Sequence, residues 1–177
     1  MRKVPLSLLV VGVAAIFVGR EALAQAAATA PAARAESGSA PAKEAKQVTA
    51  PLRSVSTENA PKVAGPYSQA IVEGGFLFAA GQTPRDPKTN TQVSGSIEQA
   101  VDRVFDNLEA VLKAEGLGWT DVVKTTVYMT KGDDFAAMNA AYARRMGEGR
   151  PARSTVFVAG LPGGALIEMD LIARARK

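Results

Sequence analysis

Neither cysteine nor histidine occurs among the 177 residues. Without Cys the chain has no disulfide, no thiolate nucleophile, no lipidated anchor and no ordinary iron–sulfur or structural zinc site. Without His it has no Ser-His-Asp triad, no imidazole base and no His-ligated metal. Any catalysis falls to Arg, Lys, Asp, Glu, Ser, Thr, Tyr or backbone amides. An excess of one charge sign is missing too from residues 57–177, once the +4 net charge is divided along the chain. Residues 1–24 carry +2 and residues 25–56 another +2, whereas residues 57–177 hold 14 Lys and Arg against 14 Asp and Glu. The basic character therefore belongs to the N-terminal third. Net charge gives no support to a nucleic-acid-binding face on the remainder, and no nucleic-acid partner is expected.

Three segments follow from composition. Arg2 and Lys3 precede an apolar run from Val4 to Val18, and Ala22-Leu23-Ala24 supplies a small-x-small pattern before Gln25. This predicts a secretory signal peptide over residues 1–24, cleaved after Ala24, with contact to a membrane only during export and a periplasmic or secreted product. An uncleaved anchor is the competing reading, and the run, short of the ~20 residues of a comfortable span, counts against it. Residues 25–56 are Ala-, Pro-, Ser-, Lys- and Glu-rich with almost no large apolar side chain, which predicts a disordered tether. Residues 57–177 are the expected folded domain, and the 47% apolar content of the chain suffices for a core.

Inside that domain the predicted order is ββαβαββ. Glu73-Gly74-Gly75 marks a hairpin between strands at 68–72 and 76–80. Residues 96–115 place Ile97, Val101, Val104, Phe105, Leu108, Val111 and Leu112 at helical spacing, ended by Gly116. A strand follows over 123–130, with Val123, Thr125, Val127 and Met129 on one face. A second helix is expected to be capped by Asp133 or Asp134, with an inner face of Phe135, Met138, Tyr142 and Met146. Strands at 154–159 and 166–174 complete an α+β domain, its helices on one face of a mixed sheet.

Four residues sit where their chemistry invites a question. Asn139 projects beside the apolar stripe of its helix, either bonded to nearby backbone or facing a pocket. Arg153 enters a strand just after Pro151-Ala152, on the parity of Thr155 and Phe157; it is a surface ion-pair member or a carboxylate clamp. Glu168 lies within the last strand among apolar residues, on the face of Leu166, Asp170 and Ile172. It is either at a sheet edge in water or held in a pocket with raised proton affinity. Tyr67, after Gly65-Pro66, says little alone, since Tyr is usually core or rim packing.

The ordered blocks Thr57-Glu-Asn-Ala-Pro61, Gly65-Pro-Tyr-Ser-Gln-Ala70, Gly81-Gln-Thr-Pro84 and Asp121-Val-Val-Lys-Thr-Thr-Val-Tyr128 resemble the RidA/YjgF family of enamine/imine deaminases. So do Asp134-Phe-Ala-Ala-Met-Asn139, Pro151-Ala-Arg-Ser-Thr-Val156, Leu161-Pro162 and Ile167-Glu-Met-Asp-Leu-Ile-Ala173, and the likeness spans nearly all of the domain. The resemblance implies a chorismate-mutase-like fold and a homotrimer with clefts between subunits. It implies that Arg153 binds a substrate carboxylate and that Glu168 serves the catalytic water. Tyr67, Gly81, Asn139 and Thr155 (the last through its backbone) would line the substrate pocket. Many members have Ser where this chain has Ala80, and often Cys where it has Thr155. The Thr155 departure leaves the backbone N–H in place, whereas Ala80 removes a hydroxyl from the pocket.

The activity so implied is hydrolysis of 2-imino acids, such as 2-iminopropanoate or 2-iminobutanoate, to 2-keto acids and ammonia. It requires no metal or organic cofactor, because an iminium carbon is already electrophilic. The alternatives are a non-catalytic module that binds small carboxylates as a sensor or partner protein, and a ribonuclease or chaperone; the neutral domain and absent His count against the ribonuclease.

Overall fold

The computed structural model describes residues 52–176. The expected signal peptide, its cleavage point and all but the end of the expected tether lie outside these residues. Six strands and two helices form the domain. The strands are β1 (Arg53–Val55), β2 (Ala70–Glu73), β3 (Phe76–Gln82), β4 (Val122–Met129), β5 (Ala152–Phe157) and β6 (Ile167–Arg174). The helices are α1 (Ile97–Ala114), between β3 and β4, and α2 (Phe135–Met146), between β4 and β5. The sheet runs β1-β2-β3-β6-β4-β5, antiparallel except for the β4–β5 pair.

Local chemistry accounts for most of these elements. Gly74 and Gly75 both take positive φ (59° and 84°), as the two-residue turn that joins Glu73 to Phe76 requires. α1 opens on a capping box. The Gln99 amide N–H reaches Ser96 Oγ at 3.5 Å and the Ser96 amide N–H donates to Gln99 Oε1 at 3.1 Å, a device worth about 1 kcal/mol. All seven of its predicted apolar positions are buried, joined by Ala100 and Asn107. Arg144 and Arg145 of α2 pair with Asp102 and Asp106 of α1 at 2.8 and 2.7 Å, stapling the helices side by side over one sheet face.

Four expectations need correction. Residues 53–55, placed in the tether on composition, form β1, which pairs with β2 and buries Val55. The order is therefore βββαβαββ. In β4 a register shift between Val122 and Lys124 turns Val122 inward and leaves Val123 half-buried, while Thr125, Val127 and Met129 keep the core face. Asp134 occupies the N-cap of α2 with α-helical backbone angles and no side-chain cap bond. The first α2 residue, Phe135, is exposed against Phe157 of edge strand β5, and the inner face is Met138, Ala141, Tyr142 and Met146.

The sheet has a covered and an open face. Leu77, Ala79, Val127, Met129, Ile167, Met169, Leu171 and Ala173 point to the helices and are buried. On the open side stand Phe76 and Phe78, with Val156 of β5 at its end, all three exposed.

Candidate functional site

Glu168 is carried by β6, which lies between β3 and β4; the edge-strand reading of this residue is thus excluded by topology. Its cross-strand partner is Tyr128, and its neighbours in β6, Ile167 and Met169, are buried under the helices. Glu168 therefore stands on the open face, half-buried. Desolvation, and secondly the charge of Asp170 on the same face, push its carboxyl above the usual carboxylate range. The Tyr128 hydroxyl donates to Asp170 Oδ2 at 3.3 Å, so Asp170 is held in place beside it.

The carboxylate lies across β3 where that strand's register to β6 shifts, between Ala79 and Gln82. Gly81 sits in this bulge, and a Cβ there would collide with the Glu168 carboxylate. The φ of Gly81 is not in the left-handed region, so space alone requires the glycine. Gly81→Ala is therefore expected to fold normally but displace the Glu168 head. If Glu168 is a reacting group, a ~1 Å misplacement of this kind lowers turnover on the order of 10²-fold. A thermal melt paired with the activity assay described under the proposed function checks it; an unchanged rate would show that Glu168 tolerates the shift.

Tyr67 borders the same region. The loop that carries it is tied by buried Gln69, whose Nε2 donates to the carbonyls of Thr57 and Pro61 at 3.0 and 2.9 Å. Tyr67 itself is exposed, and its hydroxyl accepts from the Ala64 amide at 3.1 Å. Together Tyr67, Gly81 and Glu168 line an open cavity of about 360 Å³, with Val63, Ala80 and Arg85 on its walls. Ala80, where many RidA proteins carry Ser, thus stands in the pocket, and Arg85 is a lining residue that no sequence pattern pointed to.

Arg153 is elsewhere. In the parallel β4–β5 pair it is in register with Thr125, a fully buried helix-side residue, so Arg153 emerges on the covered face. Its Nη2 donates to Asn139 Oδ1 at 2.7 Å, and its guanidinium carbon lies 4.6 Å from the centre of the Tyr142 ring. Among the described residues Arg153 has no ion pair, so the surface ion-pair reading does not match this arrangement; its described partners are both uncharged. Asn139 is exposed rather than turned into the core, and its partner is a side chain of another element. These two residues border a second open cavity of about 380 Å³, floored by Tyr142, Met146 and Pro151. Thr155 is half-buried, shares the face of Arg153 by its pairing with Val127, and lines neither cavity.

The six candidate residues thus divide into two half-sites on opposite faces of one sheet. Tyr67, Gly81 and Glu168 lie on one side, and Asn139, Arg153 and Thr155 on the other. One chain cannot bring the guanidinium of Arg153 to the carboxylate of Glu168 without unfolding the sheet between them. Among the described residues no three acidic side chains gather as a cation site.

The family model described as Endoribonuclease L-PSP, which covers the YjgF, RidA and RutC proteins, matches residues 57–175. The chain belongs to this family. A RutC family protein of Pyrococcus horikoshii is 51% identical over 119 residues, covering 67% of this chain and 94% of that protein. Reactive Intermediate Deaminase A of Arabidopsis thaliana is 43% identical over 119 residues, 67% of this chain and 64% of the plant protein. Among solved structures, a Thermotoga maritima protein described as a putative endoribonuclease superposes with a TM-score of 0.68 at 48% identity, covering 71% of this chain and 98% of that one. The Escherichia coli YjgF product gives 0.65 at 38% identity, covering 70% and 99%. The fold is thus the YjgF/RidA fold, and the α+β reading of the sequence holds with one strand added.

Proposed function

We propose that the protein is a hydrolytic deaminase of 2-imino acids, working as a homotrimer whose clefts each combine the two half-sites from neighbouring subunits. The observation that carries this reading is the pairing of unlike groups. A carboxyl with raised proton affinity stands in one open cavity, and a guanidinium held by Asn139 borders the other. A RidA relative is named for reactive-intermediate deamination, which supports the reaction class. The open sheet face supports assembly, since Phe76, Phe78 and Val156 leave apolar surface that a subunit neighbour would cover.

Arg153 takes the substrate carboxylate through parallel charge-assisted hydrogen bonds, which fixes the C=N carbon relative to the facing subunit. Glu168 of that subunit orients a water and accepts its proton as the oxygen adds to the iminium carbon. The carbinolamine nitrogen then takes that proton from Glu168, and the C–N bond breaks as the hydroxyl becomes the keto oxygen, its proton passing to the departing ammonia. The balance is iminium plus water giving keto acid plus ammonium. The N-terminal pattern supports export, so the proposed place of action is the periplasm.

The test is turnover of 2-iminopropanoate or 2-iminobutanoate generated in situ by an amino-acid oxidase, with light scattering on the same sample. Accelerated imine hydrolysis by a trimer is expected. Binding of 2-oxobutanoate without acceleration would instead give the carboxylate-binding module, and a monomer that turned over substrate would remove the shared cleft.

A further inference from the structure

We infer that Tyr142 is a positioning residue for Arg153: its buried ring is the platform on which the guanidinium lies, and Asn139 fixes how the guanidinium is turned on it. This rests on the assignment of Arg153 as the carboxylate-binding group. Arg153 is the second residue of an edge strand, and its long side chain has many rotamers in water. Two contacts remove that freedom. The guanidinium lies over the Tyr142 ring at 4.6 Å, and one N–H is committed to Asn139 Oδ1 at 2.7 Å. Both partners are uncharged, so the cation is oriented without being neutralised. Four of its five N–H donors remain for an incoming carboxylate.

The platform itself is anchored below. Tyr142 is 8% exposed, and its hydroxyl is 2.9 Å from that of Thr125, which is fully buried. The ring meets Phe105 edge-on at 5.4 Å, and Phe105 in turn lies 4.5 Å from Trp119, the single Trp of the chain. A ring wedged in this way cannot rotate away when the guanidinium engages a ligand. Burial pushes the phenol above its ordinary range, so the ring stays neutral throughout working pH. Tyr142 reads in the sequence as an ordinary core position of α2. Its partnership with Arg153 depends on the parallel pairing that seats β5 beside α2.

The experiment measures 2-oxobutanoate affinity by calorimetry, KM and kcat for an imine generated in situ, and thermal stability, on wild type and four variants of the full chain. Tyr142→Leu keeps apolar volume but removes the platform. Affinity is expected to fall about tenfold and KM to rise in parallel, while kcat at saturation stays within about twofold. Tyr142→Phe keeps the platform but leaves Thr125 unpaired. It is expected to lower the melting temperature while holding affinity within about twofold of wild type. Asn139→Asp keeps a hydrogen bond to Arg153 but cancels its charge, and is expected to weaken affinity more than Asn139→Ala does. Affinity that follows melting temperature, with Tyr142→Phe losing as much as Tyr142→Leu, would make Tyr142 a core residue only and overturn the inference. Wild-type protein that neither binds 2-oxobutanoate nor turns over imine would remove the assignment of Arg153, and the inference with it.

Discussion

Glu168→Gln is expected to cut imine turnover by about 10²–10⁴-fold, the range for a positioned acid–base group, while leaving 2-oxobutanoate affinity nearly intact. Arg153→Lys should behave differently. It keeps the charge but loses the planar fork, so affinity and turnover fall together, by about 1.5–3 kcal/mol in binding. Coupled assay and calorimetric titration separate the two patterns. Loss of binding in Glu168→Gln with a merely proportional loss of turnover would make the glutamate a structural partner of its pocket.

Stability gives a second, independent signature of Glu168. Its folded-state proton affinity is raised, by desolvation first and by Asp170 second. A carboxyl of this kind stabilises the fold fully below its unfolded pKa, and that contribution is lost as pH rises through the folded pKa. At neutral pH the ionised side chain is therefore a liability, and Glu168→Gln should melt no lower than wild type. The advantage should vanish in acid, once the carboxyl is protonated in both states. An inactive variant that is not destabilised is expected of a group retained for chemistry; a large drop in melting temperature at neutral pH would contradict it.

What the sequence displays best is local. The α1 stripe, its Ser96–Gln99 box and the Gly74-Gly75 turn depend on residues a few positions apart, and the structure has each where its chemistry requires. What it hides depends on strand pairing. β1 is three residues following an Ala- and Pro-rich stretch, and only its pairing with β2 makes it a strand. The Val122–Lys124 irregularity shifts the parity of β4 at its start, which alternation read forward from Val123 cannot detect. Phe135 looks like a core residue in a helical pattern, yet it packs against Phe157 at the sheet edge. The candidate site follows the same division. The parities of Arg153 with Thr155, and of Glu168 with Asp170 and Ile172, are visible in each strand separately. That the first set faces the helices and the second the open side follows only from the registers Thr125↔Arg153 and Tyr128↔Glu168.

That opposition leads to the strongest test of the proposed assembly. Arg153→Ala and Glu168→Gln should each be nearly inactive as homotrimers, since every cleft lacks one of its two groups. Co-expressed, or unfolded together and refolded, they should recover activity. A cleft that takes Arg153 from a Glu168→Gln subunit and Glu168 from an Arg153→Ala subunit is fully wild type, and random mixing makes about a quarter of clefts so. The expected result is a rise from near zero to about a quarter of wild-type turnover, growing from nothing as the ratio of the two variants approaches one to one. Simple mixing of the folded variants controls for assembly, because recovery then waits on subunit exchange. If both groups served a site within one chain, no mixture would exceed the sum of its parts. The sheet between Arg153 and Glu168 makes that outcome the one the fold argues against, since neither side chain reaches the other's face.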